Sequence, residues 1–155
     1  SIARGPISEA GLRTQTIGRE PRMAMLSASH PLAKQRSVSC AQLAREVRVN
    51  MQGVPAAWRK WWSLDQSPAV RPVPYGPYIT SFDEQLEIAA SNQAISIVPA
   101  CASRLHQRSD IAFVLIDDAE QSEILLCARE DDDSRTVETL FSAAAAVAER
   151  GHVRH

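Results

Sequence analysis

The chain has 155 residues, 45% of them hydrophobic, and its 17 basic and 18 acidic side chains give a formal net charge of −1. That length suits one compact domain or two small lobes with a core, and the balanced charge argues against a standalone nucleic-acid binder, which carries a concentrated basic face. No apolar run approaches the roughly 20 residues that cross a bilayer, no secretory signal is read at residue 1, and Cys40, Cys101 and Cys127, without CxxC spacing, read as reduced thiols of a cytoplasmic protein.

Taken in chain order, Ser-Ile-Ala-Arg (1–4) reads as part of a strand; lacking an initiator methionine, it is expected to continue from a longer polypeptide. No element is assigned to residues 5–22. Met23–Leu26 is an apolar run of strand type that stops at Ser-Ala-Ser and the His30-Pro31 step. That stop has two readings: a histidine presented for catalysis, or a chain leaving one lobe for another. Ser39 and Gln42 have capping-box spacing, and Val38 and Leu43 the spacing of a hydrophobic staple, predicting a helix over 39–46. Residues 47–51, VRVNM, alternate as in a strand half open to water. Gly53 and Pro55 break it, and Pro55 suits the first turn of a helix over 55–65.

In that helix Trp58, Trp61 and Trp62 fall at i, i+3 and i+4, which puts three indoles on one face. A packed stripe is the favoured reading, and a ligand-stacking box the lesser one. Prolines 68, 72, 74 and 77 predict an irregular connection over 66–77. Residues 78–81 read as a strand. Ser81 and Glu84 then repeat the capping-box spacing and open a helix over 82–91. The continuous apolar run 94–98 is expected to be a strand covered on both faces, ended by Pro99 and followed by a short helix over 100–105. Residues 111–117 and 123–130 read as two further strands, and Asp131–Asp133 as a solvated turn. The last helix, 134–150, carries Val137, Leu140, Phe141, Ala144 and Ala148 on its apolar face and is closed by Arg150-Gly151.

Strands alternating with helices predict an α/β fold with a largely parallel sheet and right-handed crossovers. The last two strands are joined by too few residues for a parallel crossover. They are therefore antiparallel, or the second leaves for another lobe.

Little points to catalysis. Cys101 and His106 are the nearest nucleophile–base pair, but five residues apart on a short helix they point in different directions. His30, His106, His152 and His155 show no metal-ligand spacing, and no Gly-rich phosphate loop is present. The informative features are three strand-to-helix transitions, at Gly53–Ala57, Thr80–Asp83 and Pro99–Ser103. In a parallel sheet all three lie at the carboxyl edge, where helix N-termini offer unpaired N–H groups to small anions such as carboxylates. The plainer alternative is that Ser81 merely caps its helix.

Four stretches resemble one family when read together: EPRMAMLSASHPLAK, VPAAWRKWW, TSFDEQLEIAASNQAISIVPACASR and DIAFVLIDDAEQSEILLCARE. Over roughly residues 2–148 the chain resembles the effector-binding domain of the bacterial LysR-type transcriptional regulators. The resemblance implies an α/β, type 2 periplasmic-binding-protein-like fold of two lobes, N-terminally truncated in the first. Residues 1–25 and 125–155 would form the partial first lobe, and 26–124 the second, entered at His30-Pro31 with no catalysis implied. It also implies a small, anionic inducer held between the lobes, no cofactor, no enzymatic activity, and self-association as a dimer or tetramer. DNA contact would come only through a winged helix-turn-helix absent from this chain, without membrane attachment. The carboxyl-edge argument with this layout makes Pro55, Ala56, Thr80, Ser81, Phe82 and Pro99 candidate ligand contacts, with Arg4 as a carboxylate partner on the first lobe. A transporter's solute-binding protein, sharing the fold, is the alternative. Where the family favours Gly-x-Gly before the apolar strand, this chain has Asn92-Gln93-Ala94; Asn tolerates a left-handed backbone, and the Ala94 methyl is expected to narrow the pocket.

Overall fold

In the computed structural model, residues 1–69 and 72–152 are described, with side chains as far as residue 148. Val70 and Arg71, in the expected 66–77 connection, lie outside them, as does His155 of the tail. The chain forms two compact units: residues 1–20 with 121–155, and residues 21–120.

The first unit is a three-stranded antiparallel sheet in the order β1 (Ile2–Arg4), β9 (Ser122–Arg129), β2 (Leu12–Glu20), with α4 (Arg135–His152) packed on β2 and β9. β2, to which no element was assigned from sequence, pairs with β9 along its length, with a register shift between Thr16 and Gly18. Phe141 is the buried anchor of α4 and lies under the Arg13 guanidinium, whose carbon sits 4.2 Å from the ring centre. Leu140, expected on the apolar face, is 52% exposed instead. It stands one residue, about 100° of helix, away from Phe141. The helix also continues past Arg150-Gly151 to His152 rather than closing there.

The second unit is built on a four-stranded sheet ordered β4 (Ser37–Val38), β8 (Ile111–Ile116), β3 (Arg22–Ser27), β7 (Ser96–Pro99). β3 runs antiparallel to both β7 and β8, and only β4 is parallel to its neighbour. The expected largely parallel sheet is thus corrected to a mixed one. Since β3 bonds throughout with β7 and β8, it belongs wholly to this unit, and the units exchange at Glu20/Pro21 and Glu120/Gln121 rather than at 25/26 and 124/125. The short link after β8 leads β9 into the other unit's sheet, settling the alternative left open for these strands.

Successive strand residues point to opposite faces, and here both faces are covered. Ala24, Leu26, Ile97, Val114 and Ile116 join one core with Leu43, Trp62 and Leu64. Met25, Val98 and Ile111 join the other with Leu86, Ala89 and Ala102. The tryptophans of α1 (Ala56–Trp62) are the packed stripe: Trp62 is buried, and Trp58 and Trp61 pack against the first core. Their rings lie 5.7 and 5.1 Å from that of Trp62.

Two local departures have clear causes. Residues 39–46 form turns rather than a helix, although the Ser39–Gln42 cap contacts are made. The Arg48 guanidinium, 1% exposed, claims the carbonyls of Leu43 and Glu46 and ends the segment. The strand predicted at 78–81 is instead β6 (Tyr75–Ile79), which includes Pro77; β6 is paired on one side only, where a missing N–H is tolerated.

Candidate functional site

β5 (Arg48–Met51) and β6 run parallel, with Met51 opposite Ile79, so their chain exits lie at one end. Gln52 N donates to Ile79 O at 2.9 Å, which holds the two exits level. The segment leading into β7 enters parallel to β5 through the Arg48–Ile95 bridge. Three chain exits therefore leave in one direction: Gly53–Ala56 after β5, Thr80–Phe82 after β6, and Pro99 closing β7.

Pro55 is the N-cap of α1 and makes no side-chain capping bond; it and Ala56 are exposed. Thr80 and Ser81 are exposed, while Phe82, first residue of α2 (Phe82–Ala90), and Pro99 are half-buried. The capping box is complete: Ser81 Oγ accepts from Glu84 N at 3.2 Å, and Glu84 Oε2 accepts from Ser81 N at 3.2 Å. The same carboxylate takes the Thr80 N–H and its hydroxyl. These bonds hold the Glu84 carboxyl below its usual range. The start of α2 thus already holds an anion, supplied by the protein itself, and Ser81 does cap its helix.

Sequence reasoning missed two neighbours of this edge. Glu84 was visible as a capping partner but not as the charge filling the helix start. The His106 ring packs on Phe82 with centroids 4.6 Å apart, giving the edge an aromatic wall. Behind the edge, the buried Ser96 hydroxyl donates to Gln85 Oε1 at 2.9 Å and ties β7 to α2. Asn92 takes the left-handed conformation expected of it, with φ 60°, and the Ala94 methyl is buried with Val49 and Ile79.

The other two expectations resolve as follows. Arg4, on β1 of the first unit, donates from Nε and Nη2 to Glu20 Oε1 at 3.0 and 2.8 Å, so a protein carboxylate already holds it. His30 is architectural: its Nδ1 accepts from Leu32 N at 3.1 Å, capping the single turn Pro31–Lys34, and its Nε2 faces Glu46 Oε2 at 3.1 Å. No group of three or more metal-ligating side chains occurs among the described residues, and no helix there is long and apolar enough to cross a membrane.

A mixed α/β unit with chain exits gathered at one strand end, joined to a second unit by two chain crossings, is the design of a small-molecule-binding module. Residues 1–149 match the family model described as the LysR substrate binding domain, and the chain belongs to that family. It is the effector-binding part of LysR-type regulators, with the type 2 periplasmic-binding-protein-like fold. No curated protein matches the sequence. Among solved structures, the BenM effector binding domain with its effector benzoate superimposes with a TM-score of 0.76 at 18% identity, covering 99% of this chain and 71% of that one. The regulatory domain of Synechocystis CcmR in complex with 2-PG gives 0.72 at 18% identity, over 95% and 72%. Full-length CbnR complexed with its target DNA gives 0.77 at 18% identity, over 95% of this chain and 52% of that one.

Proposed function

We propose that this domain senses a small carboxylate-bearing effector through the edge formed by Pro55, Ala56, Thr80, Ser81, Phe82 and Pro99; Arg4, expected as a carboxylate partner, is already engaged by Glu20. The observation that carries the reading is the common direction of the exits after β5, β6 and β7, with the Phe82–His106 wall beside them. Glu84 sets the terms of recognition. An incoming carboxylate displaces it from the Thr80 and Ser81 amides or binds beside it through hydroxyls, while Phe82 receives the apolar part. Binding acts by population shift, favouring one arrangement of a larger, self-associating regulator. That regulator contacts DNA through a separate domain and works in the cytoplasm, and this module neither transforms its ligand nor uses a cofactor.

The test uses benzoate as probe, with amide resonances and calorimetry as readouts. Saturable shifts at Thr80–Phe82, and an affinity lowered about tenfold by Phe82→Ala, support the reading. Shifts confined to other residues overturn it. If Ser81→Ala leaves affinity within about threefold, Ser81 is a cap alone.

A further inference from the structure

A hollow of about 300 Å³ opens within residues 21–120 and includes none of the edge residues named above. Arg22, Trp61 and Leu64 line it together with Asp118 and Glu120. Arg22 is 4% exposed. Its Nε donates to Glu120 O at 2.7 Å and its Nη1 to Trp61 O at 2.8 Å. Nη2 makes no hydrogen bond to a described residue, and no carboxylate among the described residues forms an ion pair with the guanidinium. The guanidinium is therefore held by neutral carbonyls and an aromatic face, and its residue lines the cavity. Burial lowers its pKa to about 10, so it remains charged at neutral pH. Burying a charge is costly, and the nearby Glu120 charge offsets only part of that cost here; an incoming carboxylate offsets more of it.

The rim has the opposite character. Asp118 and Glu120 are both exposed. Asp118 Oδ1 accepts from Cys40 N at 2.7 Å, while the Glu120 carboxylate makes no hydrogen bond or ion pair with a described residue. A plain anion at Arg22 is repelled by the two carboxylates that share its hollow, and a plain cation there competes with Arg22 for them. A ligand carrying both charges satisfies both groups, and the part of the half-buried Trp61 that Arg22 leaves uncovered, with the edge of Leu64, receives the rest of it. The volume is that of a small-metabolite site.

We propose that this hollow binds a small zwitterion of the α-amino-acid class with an apolar side chain. Its carboxylate meets Arg22 Nη2, its ammonium meets Glu120 and Asp118, and its side chain lies against Trp61 and Leu64. This site is separate from the effector edge.

The probes are L-leucine and L-phenylalanine, with isocaproate lacking the ammonium and isoamylamine lacking the carboxylate. Titrations follow the Trp61 indole resonance and the heat of binding. Saturable binding of an amino acid at about 1 mM or tighter, with both mono-charged analogues weaker by about tenfold or more, is the expected result. Arg22 variants risk unfolding, so the variant of choice is Glu120→Gln, at an exposed position. It lowers amino-acid affinity about tenfold and leaves isocaproate binding unchanged or tighter, while Ser81→Ala leaves amino-acid binding as it is. The proposal fails if neither amino acid saturates by about 10 mM, if isocaproate binds as well as leucine, or if Glu120→Gln changes leucine affinity by less than about twofold.

Discussion

Arg22 holds Trp61 twice: its guanidinium carbon lies 3.9 Å from the centre of the indole ring, and its Nη1 donates to that residue's carbonyl oxygen at 2.8 Å. With the bond from Nε to Glu120 O, one side chain joins the start of β3, the end of α1 and the last residue of its unit. Arg22→Met keeps the length and loses all three interactions, at an expected cost of about 2–4 kcal/mol in urea unfolding. Arg22→Lys recovers less than half of that, because an ammonium lacks the planar fork. A loss below about 0.5 kcal/mol for Arg22→Met would show the join to be idle.

The α2 start carries a pH signature. Hydrogen bonds from Thr80 and Ser81 depress the Glu84 pKa in the folded state. Its contribution is therefore present above the unfolded carboxyl value and is lost as pH falls through the depressed folded value. The stability difference between wild type and Glu84→Gln should shrink on acidification below the usual carboxylate range, in melts recorded across pH. Ser81→Ala costs about 1 kcal/mol at neutral pH.

Cys40 should be an inert thiol. Burial first, then Asp118, raises its pKa to about 11. Alkylation at pH 8 is expected to modify Cys101, which is partly accessible, well before Cys40. The linkage runs opposite to that of Glu84. Stabilisation by the neutral thiol is complete below the unfolded thiol pKa and lost as pH rises through about 11. Wild type should therefore lose more stability than Cys40→Ala between pH 8 and 10.5; equal losses would contradict this.

Gly76 sits where a side chain does not fit. A Cβ there would lie 2.5 Å from Val47 Cγ1 and 3.6 Å from the Arg48 carbonyl oxygen. Valine is stiff at χ1, so Gly76→Ala is expected to cost about 1–3 kcal/mol. Val47→Ala in the same chain should recover most of it, since Val47 is already 36% exposed and contributes little core of its own. A double mutant no more stable than Gly76→Ala would place the clash with the backbone instead.

What was legible from sequence was mostly local. Ser81 and Glu84 announce α2 because both partners of the cap lie within one turn, and the tryptophan stripe announces α1 because its period is helical. The alternation over 47–51 marked a strand yet gave no sign that Arg48 is among the most buried side chains; its partners are carbonyls supplied by a turn, which carry no side-chain signal. β2 was illegible because Thr14, Gln15 and Thr16 show no apolar period and its partner β9 is about a hundred residues away. The strand-to-helix transitions were legible for the same local reason, whereas the Arg22 hollow was not. Its wall draws on the beginning, middle and end of one unit.

The two chain crossings also set an order of events on the ribosome. Among the described residues β1 and β2 each pair only with β9 in their sheet, and all of residues 21–120 is synthesised before β9 emerges. The inner segment can collapse while the outer strands still wait for the piece that lies between them. Slow closure of the outer sheet, exposing strand edges in the meantime, is thus inherent in the nesting of one unit inside the other.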